Sequence, residues 1–185
     1  SPDGLVQQQG DWSYIYSNSM SMGGLLDNGK VAEARKIADA MVQRQLADGG
    51  WYTDYNYYTG AQKGPNRAGI GDVAFQAMQQ FKVYKATGDA KYLNSAKKAA
   101  SYVKKYQILN PGDPIHGAVS GGPDYKTGNQ HMWAATEHNS WILSLFYYLG
   151  KETNDYELLA RAKLIADWLV RPEEKGGIWH TKEGY

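Results

Sequence analysis

The chain has 185 residues, enough for one domain (1–185) with its own core, and its 42% hydrophobic and 21% charged residues are those of a soluble globular protein. A net charge of +1 with no concentrated Lys/Arg block argues against a nucleic-acid partner, and no apolar run reaches the roughly 18 residues needed to span a membrane. There is no cysteine, which excludes disulfides, thiolate chemistry and Cys-based zinc sites and leaves the compartment open.

The chain opens Ser1-Pro-Asp-Gly4 without Met or a signal peptide, as expected of a processed or excised piece. Its aromatic content is skewed: 15 Tyr and 6 Trp against 3 Phe. Tyr and Trp carry a polar tip and favour places where one end is wet. The excess suits either a cleft lined with rings, as a sugar needs, or helices packed with their tips at the surface.

In chain order the sequence predicts three helical hairpins, at about 14–46, 71–106 and 137–170. The first pairs an inner helix near Tyr14–Leu26 with an outer one near Val31–Leu46, through Asp27-Asn-Gly29. Outer-helix residues Val31, Ala34, Ala38, Met41 and Gln45 share one line, with charges opposite. The second pairs Gly71–Ala86 with Lys91–Tyr106 through Thr87-Gly-Asp89. The third pairs Glu137–Lys151 with Tyr156–Val170 through Thr153-Asn-Asp155. Ala86–Val103 lies without gaps on Glu152–Leu169, matching Ala96, Lys97 and Ala100 to Ala162, Lys163 and Ala166. Ala34 and Ala38 extend the pattern to the first copy. Alanines at i and i+4 share one helix face and let helices approach closely. The inner helices are apolar or small nearly all round, so one helix of each pair faces inward. The prediction is an all-α fold, an α/α toroid-type array of three hairpins; a bundle or open solenoid is the alternative.

Long loops follow the outer helices, and each sets Gly beside an aromatic: 47–72, 109–133 and Gly176-Gly-Ile-Trp179. Loops this long in a compact domain are usually functional, and the repeat would bring all three to one face. The stretch Ala134–Leu149 stands out. Thr136 is the expected N-cap, Glu137 and His138 fall in the first turn, and Trp141–Leu149 carries no charge. Such a helix is expected to be buried on nearly all sides, with Glu137 and His138 at its mouth.

Tyr14-Ile-Tyr-Ser-Asn-Ser19, Asp48-Gly-Gly-Trp-Tyr52, Gly71-Asp72, Thr87-Gly-Asp-Ala-Lys-Tyr-Leu93 and Ala135-Thr-Glu-His-Asn139 together resemble the six-hairpin glycosidase superfamily. The resemblance spans nearly the whole chain. It implies a sugar cleft at the N-terminal ends of the inner helices, and glycoside hydrolysis, with lyases and epimerases among the relatives. Two departures accompany it. Related sequences often carry Asp where Ser17 stands, and a full ring needs about six hairpins. The chain therefore resembles about half a toroid, a piece of a longer precursor or one completed by another chain.

Glycoside cleavage uses two carboxylates, about 5 Å apart for retention and roughly 6.5–9.5 Å for inversion. Glu137 and Asp72, both at inner-helix starts, are the expected catalytic pair; Asp72 aligns with His138. The other reading of Asp72 is a carboxylate that stabilises the helix dipole by about 0.3–1 kcal/mol. Asp11, Asp54 and Asp124 are further acidic candidates. His138 would orient Glu137, bind a hydroxyl or shuttle a proton, or be a satisfied structural histidine. Trp51, Tyr52, Tyr55, Tyr125, Trp133 and Trp179 are candidate stacking platforms, with Asn139 a candidate sugar ligand. His116, His131 and Asp124 share a loop but fit no metal template, so no metal and no cofactor is expected. No Gly-x-Ser-x-Gly elbow, P-loop or dinucleotide fingerprint is present.

The expected function is a glycoside hydrolase-like protein, secreted or in the cell envelope, that cleaves a poly- or oligosaccharide. A polysaccharide lyase, a non-catalytic carbohydrate-binding domain and a helical-repeat protein-interaction domain are the alternatives.

Overall fold

The small-residue turns and alanine-striped segments of the sequence fold into six α-helices that follow one another as three hairpins. The computed structural model describes residues 1, 3–123, 130–172 and 175. The chain divides into two units, Ser1–Tyr102 and Val103–Tyr185.

In the first unit, strand β1 (Trp12–Tyr14) runs directly into helix α1 (Ile15–Asp27), which turns into α2 (Val31–Gln43). Strand β2 (Asp54–Asn56) lies in the following loop and pairs antiparallel with β1, Ser13 opposite Tyr55. Helix α3 (Ile70–Thr87) and α4 (Ala90–Val103) complete the unit. Helix α3 packs on both α1 and α2. A Cβ on Gly23 of α1 would sit 3.1 Å from Gln79 Oε1 of α3, and Gln80 Nε2 donates to the Ala38 carbonyl at 3.1 Å. Ala34 and Ala38 are fully buried, as the alanine stripe requires.

In the second unit a single 3-10 turn (Lys104–Tyr106) leads to the ribbon β3 (Gly122–Pro123) and β4 (Gln130–His131), then to α5 (Thr136–Thr153) and α6 (Tyr156–Leu169). Gly88 after α3 and Asn154 after α5 both adopt the left-handed conformation that ends a helix, at φ 71° and 55°. Asp155 then caps α6 by accepting from the Leu158 amide at 3.0 Å.

Two expectations are corrected here. Helix α5 starts at Thr136 with Ala135 as its N-cap and no side-chain cap bond, because Ala135 is the residue with extended backbone. Nor is α5 buried on nearly all sides: Tyr147 and Tyr148 are 47% and 52% exposed, since their hydroxyl-tipped rings tolerate water. Strands β2, β3 and β4 lie in segments expected as loops, and β1 includes Tyr14, expected as the start of the first inner helix.

The repeat extends to a backbone clasp not visible in the helices. Leu46 N donates to Gly50 O and Gly49 N to Leu46 O; Ile108 N donates to Ala118 O and Gly117 N to Ile108 O. Ser1 and Leu5, with Gly4, form the same pair of bonds. Each clasp glycine has positive φ, and a Cβ on Gly4, Gly49 or Gly117 would lie 2.4, 2.2 or 2.5 Å from a carbonyl of an outer helix, at Lys36, Lys98 and Leu164. These three carbonyls hold corresponding places in the repeat. Gln45 and Gln107 likewise donate to Ser95 O and Arg161 O, both at 3.0 Å.

Candidate functional site

In each unit, polar side chains stand in the first turns of the inner helices. The third residues of α1, α3 and α5 are Ser17, Asp72 and His138.

In the second unit Glu137 is exposed in the first turn of α5, where the helix dipole favours a carboxylate. The His138 ring stands 5.7 Å from Trp133 and 5.9 Å from Trp141, and His131 lies 5.7 Å from Trp133. His138 Nδ1 is buried and has no hydrogen-bond partner among the described residues. Trp133 rests on Gly121: a Cβ there would be 2.3 Å from Trp133 Cζ2, and Gly121 N donates to Trp133 O at 3.0 Å. With that side covered, Trp133 remains 49% exposed. A carboxylate, an imidazole and a partly open indole therefore share one helix mouth.

Asn139 does something else. It is fully buried, accepts from Val119 N at 2.7 Å and donates to Val119 O and Ala135 O at 3.0 Å each. Asn18 occupies the same helical position in α1, accepting from Val6 N at 2.9 Å and donating to Tyr14 O at 2.7 Å. Val6 and Val119 each follow a clasp glycine by two residues. The buried amide of Asn139 thus pins the clasp segment to the inner helix, which corrects its expected role as a sugar ligand.

In the first unit Asp72 is half-buried in the first turn of α3. Ser17 Oγ hydrogen-bonds to Gln8 Oε1. Asp11 pairs with Lys63, whose hydrogen bond holds the carboxyl below the usual range, and Lys63 Nζ stands 3.8 Å over the Trp12 ring. Trp12 stacks on Tyr14 at 5.5 Å and 7°. Asp54 is buried, with Oδ1 lacking a partner among the described residues.

Two ring platforms are corrected. Trp51 is fully buried and its Nε1 donates to Met41 O at 2.7 Å, so it is a core residue. Tyr55 is buried too; burial pushes its hydroxyl up to about 12, and that hydroxyl accepts from Tyr52 N at 3.1 Å. Tyr52 is half-buried with Arg67 5.8 Å from its ring centre. Tyr125, Trp179 and Asp124 lie outside the described residues. His116 accepts from Arg171 Nη2 through its carbonyl at 2.8 Å. Among the described residues, no three His, Cys, Asp or Glu side chains are placed to hold a metal.

Trp12 and Trp141 were missed. Trp12 stands three residues before α1 as Trp133 stands three before α5, and that shared offset was the available signal.

Helices in repeated hairpins, with polar groups in the first turns of the inner ones, make an α/α-toroid fold. Solved structures with this fold include a GH76 α-mannanase from Bacteroides thetaiotaomicron: 16% identity, TM-score 0.67, covering 89% of this chain and 47% of that one. A D-mannose isomerase matches at 16% identity and TM-score 0.66, covering 95% and 48%. A cellobiose 2-epimerase from Bacillus thermoamylovorans matches at 14% and 0.65, covering 90% and 42%. The chain spans about half the length of these structures. No protein-family model and no curated protein matches the sequence.

Proposed function

We propose that the protein is a carbohydrate-active domain that binds a poly- or oligosaccharide at the mouth of α5 and cleaves it by two-carboxylate acid/base catalysis. The observation that carries this reading is Glu137, an exposed carboxylate in the first helical turn, beside His138 and the half-open Trp133 ring. Indole faces carry a weakly negative quadrupole that suits the C–H face of a sugar. Glu137 acts as acid or base and His138 positions the proton, and the sequence offers Asp72 as the candidate second carboxylate. The fold's other owners, named for mannan, mannose and cellobiose chemistry, support a carbohydrate partner. A secreted or cell-envelope location, and completion by further hairpins of a longer precursor or another chain, go with this reading.

The second reading is binding without cleavage. Ser17, bonded to Gln8, favours it, because a hydroxyl stands at the inner-helix position that Asp72 fills in α3. A screen of the chain against polysaccharides, mannan and cellulose oligomers included, separates the two. New reducing ends support hydrolysis. Ultraviolet absorbance of an unsaturated product marks elimination, and sugar-dependent Trp fluorescence without product marks a binding domain. A complete lack of response overturns both.

A further inference from the structure

The His138 ring is flanked by two indoles. Trp141 follows it by three residues, on the same face of α5, and the two rings stack at 5.9 Å and 24°. Trp133, seated on Gly121, stands 5.7 Å away at 54°. The residue is half-buried, and the burial is uneven: Nδ1 is enclosed and has no hydrogen-bond partner among the described residues. Nε2 is therefore the nitrogen left to meet a ligand.

A neutral imidazole carries one N–H and one lone pair, and the surroundings of one nitrogen decide which of the two holds the proton. A proton on Nδ1 would bury a donor with no acceptor. Buried N–H groups without a partner are rarer in proteins than under-used acceptors. The lone pair therefore belongs at Nδ1 and the proton at Nε2. The same enclosure bears on what the ring can do. A proton relay through an imidazole needs a partner at each nitrogen, one to deliver and one to receive. With Nδ1 unpartnered, His138 can donate a hydrogen bond from Nε2 but has no second group through which to pass a proton on.

We infer that His138 is held as the Nε2–H tautomer and acts as a fixed hydrogen-bond donor, positioning an acceptor oxygen of the sugar at the α5 mouth without carrying the proton itself. The inference rests on the carbohydrate reading of this site for its ligand but not for its tautomer, so the two fail separately.

Nitrogen NMR of the sugar-free chain, labelled at its 4 histidines and kept at about pH 8, above the ordinary imidazole range, reads the tautomer directly. The expected His138 signals, identified by their loss in His138→Gln, are a protonated Nε2 and a bare Nδ1. Two variants then read the role. His138→Gln keeps a donor near the place of Nε2 and loses the ring; His138→Phe keeps a ring beside the indoles and loses both nitrogens. With manno- and cello-oligosaccharides as probes, calorimetric affinity and any turnover stay within about threefold in the Gln variant and fall about tenfold or more in the Phe variant, the worth of one hydrogen bond. The Phe variant melts no lower than the parent, because no bond to Nδ1 is lost. A proton found on Nδ1 overturns the proposal. So does an equal loss of turnover in both variants, which would mean that the ring carries the proton, or a lower melting temperature for the Phe variant. Absence of any sugar response overturns the ligand role together with the reading of the site, and the tautomer measured without sugar tells that failure from the others.

Discussion

Gly121 and Trp133 are fitted to each other: a Cβ on the glycine would fall 2.3 Å from Cζ2 of the ring. No real contact is that short, so Gly121→Ala must push the indole or the β3 segment away. We expect a cost of about 1–3 kcal/mol, as for other overpacked sites. Near-ultraviolet circular dichroism reports the ring's movement, and a sugar-dependent fluorescence change, if carried by Trp133, falls with it.

The clasp glycines predict a larger effect. Gly49→Ala and Gly117→Ala each combine a positive φ with a Cβ thrust onto an outer-helix carbonyl. Each is expected to destabilise by about 2–4 kcal/mol, while Gly29→Ala, also at positive φ but with open space around it, costs about 1 kcal/mol. Urea denaturation of the three variants checks the ranking.

Asn139→Ala removes the partner of both polar groups of Val119 inside the protein. Leaving them buried and unpaired costs about 2–4 kcal/mol. Because the side chain is fully buried, sugar affinity per folded molecule should not change. Melting and binding isotherms on one preparation separate this structural role from a ligand role.

Burial raises the Tyr55 hydroxyl from 10.0 to about 12. A raised value means the folded state holds the proton more tightly than the unfolded one. The stabilisation is therefore complete below pH 10 and is lost as pH rises towards 12, about 3 kcal/mol in all. Tyr55→Phe should remove that alkaline loss, at a neutral-pH cost of about 1 kcal/mol for the bond accepted from Tyr52 N. Urea midpoints at pH 9 and above 11 compare the two proteins.

The three hairpins were legible because the alanine period and the turns Asp27-Asn-Gly29, Thr87-Gly-Asp89 and Thr153-Asn-Asp155 are local signals. The clasps were not, because the loop from Ile108 to Gly117 is longer than that from Leu46 to Gly49, and a gapless comparison loses the glycines' equivalence. Strands of two or three residues show no alternation to read. Trp51 looked like a platform because composition does not distinguish a ring that meets solvent from one whose Nε1 finds Met41 O in the core. Asn139 was misjudged for a related reason: its partners, the backbone groups of Val119, leave no mark in side-chain types. Glu137 and His138 were placed correctly at the start of α5, since a polar pair before a long uncharged run marks a helix mouth.

The most direct test of the proposed site is Glu137→Gln, with turnover and sugar-dependent Trp fluorescence measured on the same preparation. The account predicts that turnover falls by about 10²–10⁴ while affinity stays within about threefold, since the amide keeps the shape and loses the proton. Unchanged turnover in that variant would contradict it.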